Sequence, residues 1–95
     1  MPLAVIASPS FARAAKKLHP KDKQALDEAV QTIANNPELG EAKRGDLAGV
    51  LVARFKLNNQ ETLLAYELLP NKQAPEALAL LGVGPHENFY RNLKR

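Results

Sequence analysis

The chain has 95 residues, 45% hydrophobic and 24% charged, a balance that fits one globular domain over 1–95 and argues against a disordered tail. It contains no cysteine, which excludes disulfides, thiolate zinc sites, iron–sulfur clusters and cysteine nucleophiles. Thirteen Lys and Arg against ten Asp and Glu give +3, too mild to point to a polyanion by itself, so the placement of the cations carries the argument.

Leu3–Ala7 is an apolar run that predicts a short buried strand. It is too short for a signal peptide and no basic residue precedes it, and no run approaches the ~18 apolar residues of a membrane span. The expected compartment is the cytoplasm, without membrane contact. Ser8-Pro9 reads as a helix start, with Ser as cap and Pro at the first helical position. Phe11, Ala14, Ala15 and Leu18 then line one helix face. Pro20 opens a second amphipathic helix carrying Leu26, Val30 and Ile33, which Asn35-Asn36-Pro37 stops. Lys16, Lys17, Lys21 and Lys23 read as the wet side of the two helices, with Asp27 and Glu28 offsetting part of the charge. His19, between Leu18 and Pro20, reads as a helix-junction residue.

Residues 37–46 are polar, contain Gly40 and Gly45, and predict a loop. The period then changes to two. Leu51, Ala53 and Phe55 fall on one face of a strand, and Val50, Val52, Arg54 and Lys56 on the other. Asn58-Asn59-Gln60 predicts a turn, Thr62–Leu69 a second strand, and Ala77–Val83 a third. Gly84-Pro85 can open a short helix through Leu93. The expected architecture is α+β, in the order β-α-α-β-β-β-α. The two N-terminal helices cover one face of an antiparallel sheet, which leaves the other face open for a groove.

The segment from Gly82 to Arg95 carries the richest chemistry. His86 falls in the first turn after Pro85, with Phe89 and Tyr90 three and four residues on, so one helix face can hold all three. A histidine exchanges a proton near neutral pH. The same spacing also fits a helix that simply docks through Phe89, Tyr90 and Leu93. Arg54 and Lys56 either form a cationic row for consecutive phosphates or an ordinary solvated strand face. Tyr66 belongs to that face or, more naturally, to the core. No Walker loop, GxGxxG, HExxH or nucleophile elbow is present, and two histidines without a cysteine make a structural metal site unexpected.

The order of elements and a series of short motifs resemble the RelE/ParE superfamily of toxins from bacterial type II toxin–antitoxin modules. The series runs from Phe11 and Leu18 through Asn36-Pro37-Glu38-Leu39-Gly40, Leu47-Ala-Gly-Val50 and Leu64-Ala-Tyr66 to Gly84-Pro-His-Glu-Asn-Phe-Tyr-Arg91, and spans nearly the whole chain. The resemblance implies a toxin neutralised by a cognate antitoxin, an acidic and partly disordered protein. It implies either ribosome-dependent cleavage of mRNA without a metal or cofactor or, as in the ParE branch, inhibition of DNA gyrase by protein binding. A third possibility is an inert partner that only binds its antitoxin. In the RNA-cleaving branch His86, Tyr90, Arg91 and Arg54 take the catalytic places, with Arg44, Lys56, Phe89, Lys94 and Arg95 along the RNA. Histidines that some relatives carry on the sheet are absent here, leaving Arg44 or Tyr66 as substitutes for the general base.

Overall fold

The computed structural model describes residues 3–85 and Phe89. Its elements are β1 (Ala4–Ala7), α1 (Pro9–Lys16), α2 (Pro20–Asn35), β2 (Glu41–Ala42), β3 (Val50–Leu57), β4 (Gln60–Leu69) and β5 (Ala77–Pro85). The strands form one sheet in the order β1-β5-β4-β3-β2. The α+β architecture expected from sequence is borne out.

The central β3–β4–β5 meander follows the predicted strands closely. Asn58 and Asn59 both take positive φ, at 52° and 64°, and close a two-residue hairpin in which Leu57 faces Gln60. Asparagine tolerates this left-handed region better than most residues, and two such residues match the right-handed twist of the strands. Register then sets the faces. Leu51, Ala53 and Phe55 of β3 look toward the helices with Leu64, Tyr66 and Leu68 of β4 and Leu78 and Leu80 of β5. Phe11, Leu26, Val30, Ile33 and Ala34 pack on them from α1 and α2.

Ser8 ties α1 to the sheet. Its Oγ accepts the N–H of Phe11 at 3.1 Å, capping the helix, and donates to the carbonyl of Leu81 at 3.1 Å. Leu81 is the extra residue of a bulge, since Ala65 pairs with Gly82 and Tyr66 with Leu80. The bulge keeps Leu80 and Val83 on the helix side and sends Leu81 to the other face.

Several expectations need correction. The Leu3–Ala7 run is an edge strand, not a buried one: Val5 is 45% exposed and Ile6 51%. It pairs on one side only, and in parallel with β5, so the sheet is mixed rather than wholly antiparallel. Residues 37–46, expected as loop, hold β2 and parts of two 3-10 turns, Pro37–Leu39 and Gly45–Leu47. Gly84 and Pro85 end β5, where Pro85 faces Thr62. Phe89 is helical, in line with the expected final helix, whose other residues lie outside the described residues.

Tyr66 lies wholly in the helix-side core. Its hydroxyl donates to the carbonyl of Pro37 at 2.8 Å and accepts the N–H of Gly40 at 2.8 Å. A Cβ at Gly40 would come within 2.5 Å of that oxygen, so glycine is required for the approach. This clamp fixes the connection just before β2. Burial raises the Tyr66 pKa above its ordinary value, against a smaller opposing effect of the Gly40 N–H. Its contribution to stability is therefore complete below about pH 10 and is lost as pH rises through the raised folded value. Tyr66→Phe should cost about 1–3 kcal/mol, because two polar backbone groups lose their partner. Chemical denaturation across the alkaline range should show the variant lacking part of the wild-type decline above pH 10.

Candidate functional site

The face of the sheet away from the helices is built by the alternation of β3. Val50 and Val52 are buried there and Arg54 and Lys56 are exposed. Opposite them on β4 stand Glu67, Ala65, Leu63 and Glu61 in that order. Val50, Val52, Leu63 and Ala65 form a second apolar cluster, closed by Phe89 at 7% exposure, with Leu47 and Leu81 packed against it. Phe89 thus packs on the same face that carries the two cations. Gly84 lies beside the ring, where a Cβ would make ordinary contact with it at 3.9 Å.

The face is not purely cationic. Glu41 pairs with Val52 across β2 and β3, which places it on this side. Its carboxylate sits 2.6 Å from the Lys43 ammonium. That hydrogen bond and the Lys43 charge, with a further pull from Arg54, hold the Glu41 pKa below the ordinary carboxylate value against a small desolvation effect. Glu41 is therefore ionised throughout the neutral range. Lys56 has Glu61 as its cross-strand neighbour.

The predicted site residues divide into three groups. Arg54 and Lys56 share the open face with the Phe89 cluster. Arg44 is exposed, past the end of β2, and an arginine keeps its proton in proteins, so it can supply charge but not act as a base. His86, Tyr90, Arg91, Lys94 and Arg95 lie outside the described residues. Two expectations are corrected. Phe89, expected along the RNA, is packed into the sheet cluster, so its ring face is not free to stack on a base. Tyr66, considered as a substitute base, is on the opposite face with its hydroxyl occupied at both donor and acceptor positions. Glu41 was missed because only the β2–β3 register brings it beside Arg54, and a two-residue strand leaves no periodic signal.

Among the described residues no group of His, Asp and Glu could hold a metal ion, and no helix is long and apolar enough to cross a membrane. What the face offers is cationic charge beside an ionised carboxylate, on a strand pair, next to the docked Phe89 ring.

A sequence comparison with curated proteins gives no match. Among solved structures, the chain is similar to the toxin–antitoxin complex RelBE2 of Mycobacterium tuberculosis, with TM-score 0.73, 24% identity, and coverage of 90% of this chain and 100% of that one. A double mutant of the E. coli toxin RelE in the free state gives TM-score 0.72 at 15% identity, covering 98% and 95% of the two chains. The intact E. coli RelBE toxin–antitoxin complex gives 0.68 at 14% identity, covering 90% and 98%. At these identities the likeness is one of fold. The family comes from a direct match: the model of ParE-like toxins of type II bacterial toxin–antitoxin systems aligns with residues 5–94. With nearly its whole length aligned, this chain belongs to that family of toxins.

Proposed function

We propose that this toxin arrests translation by cutting mRNA on the ribosome. The observation that supports the reading is the shared face of two cations and Phe89. Arg54 and Lys56 stand exposed there, Phe89 packs into its apolar cluster, and in the sequence His86 precedes Phe89 by three positions and Tyr90 follows it directly. Attack of a ribose 2′-OH on the adjacent phosphorus forms a cyclic phosphate and breaks the bond to the 5′ oxygen. The hydroxyl proton goes to a base and the leaving oxygen takes one from an acid. A histidine side chain can take either duty near neutral pH, and His86 is the candidate for it. Glu41, on the same face, is a poor acceptor for the hydroxyl proton, because Lys43 holds its pKa below the ordinary carboxylate value. Arg54, Lys56 and Arg91 would stabilise the added charge of the transition state, and Tyr90 takes over base stacking from the buried Phe89. Induced expression should then yield transcripts cut within codons, and a His86→Ala variant should lose cutting.

A second reading has its own support. The matching family model is ParE-like, and Glu41, Glu61 and Glu67 dilute the positive charge of the open face. Inhibition of DNA gyrase by binding would need no catalytic group. Intact transcripts in arrested cells, together with loss of supercoiling by purified gyrase, would favour it.

Under either reading the partner is a cognate antitoxin, acidic and partly disordered. Two of the similar structures are toxin–antitoxin complexes. A groove of about 820 Å³ between α1, α2 and the β1–β5 edge has an apolar floor of Val5, Phe11, Leu26, Val30 and Leu80, with Arg13, Lys16 and Lys23 among its lining residues. That combination suits a segment with apolar and acidic side chains that folds as it binds.

A further inference from the structure

We propose that the Glu41–Lys43 pair, at the rim of the open face, reads a guanine base in unpaired RNA. β2 is the outermost strand at its end of the sheet. Glu41 pairs with Val52, and the ladder runs on one step further, where the Lys43 N–H donates to the Val50 carbonyl at 2.9 Å. Residues two apart on a strand share a face, so both side chains stand on the open one. There the Lys43 ammonium donates to Glu41 Oε1 at 2.6 Å. The Glu41 side chain is 69% exposed and that of Lys43 21%. The carboxylate thus reaches into water while the lysine stem lies against the protein.

The order of donor and acceptors selects the ligand. From the ammonium through Oε1 to Oε2 the pair presents donor, acceptor, acceptor. The Watson–Crick edge of guanine is the complement: the O6 acceptor, the N1–H donor and an N2–H donor. Uracil presents acceptor, donor, acceptor, and cytosine donor, acceptor, acceptor. Adenine presents a donor and an acceptor with no third polar group. None of these three matches. Proteins that recognise single-stranded RNA read this edge. Glu41 stays ionised at neutral pH because Lys43 holds its pKa down, and a carboxylate that resists protonation is a poor base but a constant acceptor. Arg54 stands on the same face of β3, two residues from Val52 and so diagonal to Glu41. A phosphate on its guanidinium and a base on the pair can therefore belong to one strand. The inference rests on the nuclease reading for that phosphate contact, and adds to it a group that distinguishes bases.

The test uses the purified toxin and a set of unpaired RNA hexamers that differ only in one central base. They carry 2′-O-methyl groups, so affinity is read without cutting. The wild type should bind the guanine hexamer about 10-fold more tightly than the uracil hexamer. Glu41→Gln replaces the outer acceptor by an amide donor. With its carbonyl turned to Lys43 it presents donor, acceptor, donor, the complement of uracil, and the preference should invert. Its thermal midpoint should be unchanged, since the side chain is exposed. Arg54→Ala should weaken every hexamer alike and keep the preference for guanine. A wild type without that preference overturns the proposal, and so does a Glu41→Gln variant that retains it. Free GMP bound as tightly as the guanine hexamer would make the pair a nucleotide site and overturn the assignment to RNA. Cutting on ribosomes is mapped separately. Guanine preference without cutting by the wild type would strike the nuclease reading alone. Cutting at positions that do not move in Glu41→Gln would strike this inference alone.

Discussion

Arg54→Ala should reduce mRNA cutting by about 10²–10³-fold, the usual effect of removing one preorganised donor aimed at developing charge. The fold should survive. Arg54 is exposed and is placed in no apolar cluster, so its loss should change stability by no more than about 0.5 kcal/mol. Catalysis and stability are thereby separated in one substitution. Arg54→Lys keeps the charge but loses the planar fork that binds two phosphate oxygens at once, and should fall between wild type and alanine. Glu41 gives a second readout. The Lys43 hydrogen bond and charge are the largest causes of its depressed pKa and Arg54 a smaller one. Its carboxylate should therefore titrate only slightly higher in the alanine variant, as NMR would record. Undiminished cutting by Arg54→Ala, with growth arrest intact, would remove the cationic face from the mechanism.

The parts of the fold legible in the sequence were those with a strong local pattern. The period-two alternation of Val50–Lys56 assigned each side chain of β3 to its face, and with it the placement of Arg54 and Lys56. Ser8-Pro9 and Asn58-Asn59 marked a helix start and a hairpin through chemistry that few residues share. What escaped depends on pairing between distant segments. An apolar run such as Leu3–Ala7 reads the same for a central strand and for an edge strand, and only its parallel pairing with β5 leaves Val5 and Ile6 exposed. The bulge at Leu81 is hidden in a run where every residue is apolar or glycine. Glu41 became part of the candidate site through a two-residue ladder. The toxin family was legible because it is written in a series of short motifs along the whole chain, whereas the choice between RNA and gyrase turns on how one face is used.

Phe89→Ala carries the largest expected stability effect. Truncating a buried phenylalanine costs about 3–5 kcal/mol, against a total of roughly 5–15 kcal/mol for a domain of this kind. The thermal midpoint should fall by at least about 12 °C. The loss has a defined place. Phe89 covers Val50, Val52, Leu63 and Ala65, a cluster separate from the helix-side core. Without its ring, this side of β3 and β4 would face water, and amide exchange at Leu63 and Ala65 should accelerate more than at Ile33 in α2. Under the nuclease reading activity should fall with it, because His86 and Tyr90 flank Phe89 in the sequence. Phe89→Leu tests this anchoring role. It restores most of the apolar volume without an aromatic face, so it should recover most of the stability and most of the cutting. Recovery of stability without cutting would mean that the ring itself touches RNA, and would overturn the assignment of Phe89 as a buried anchor.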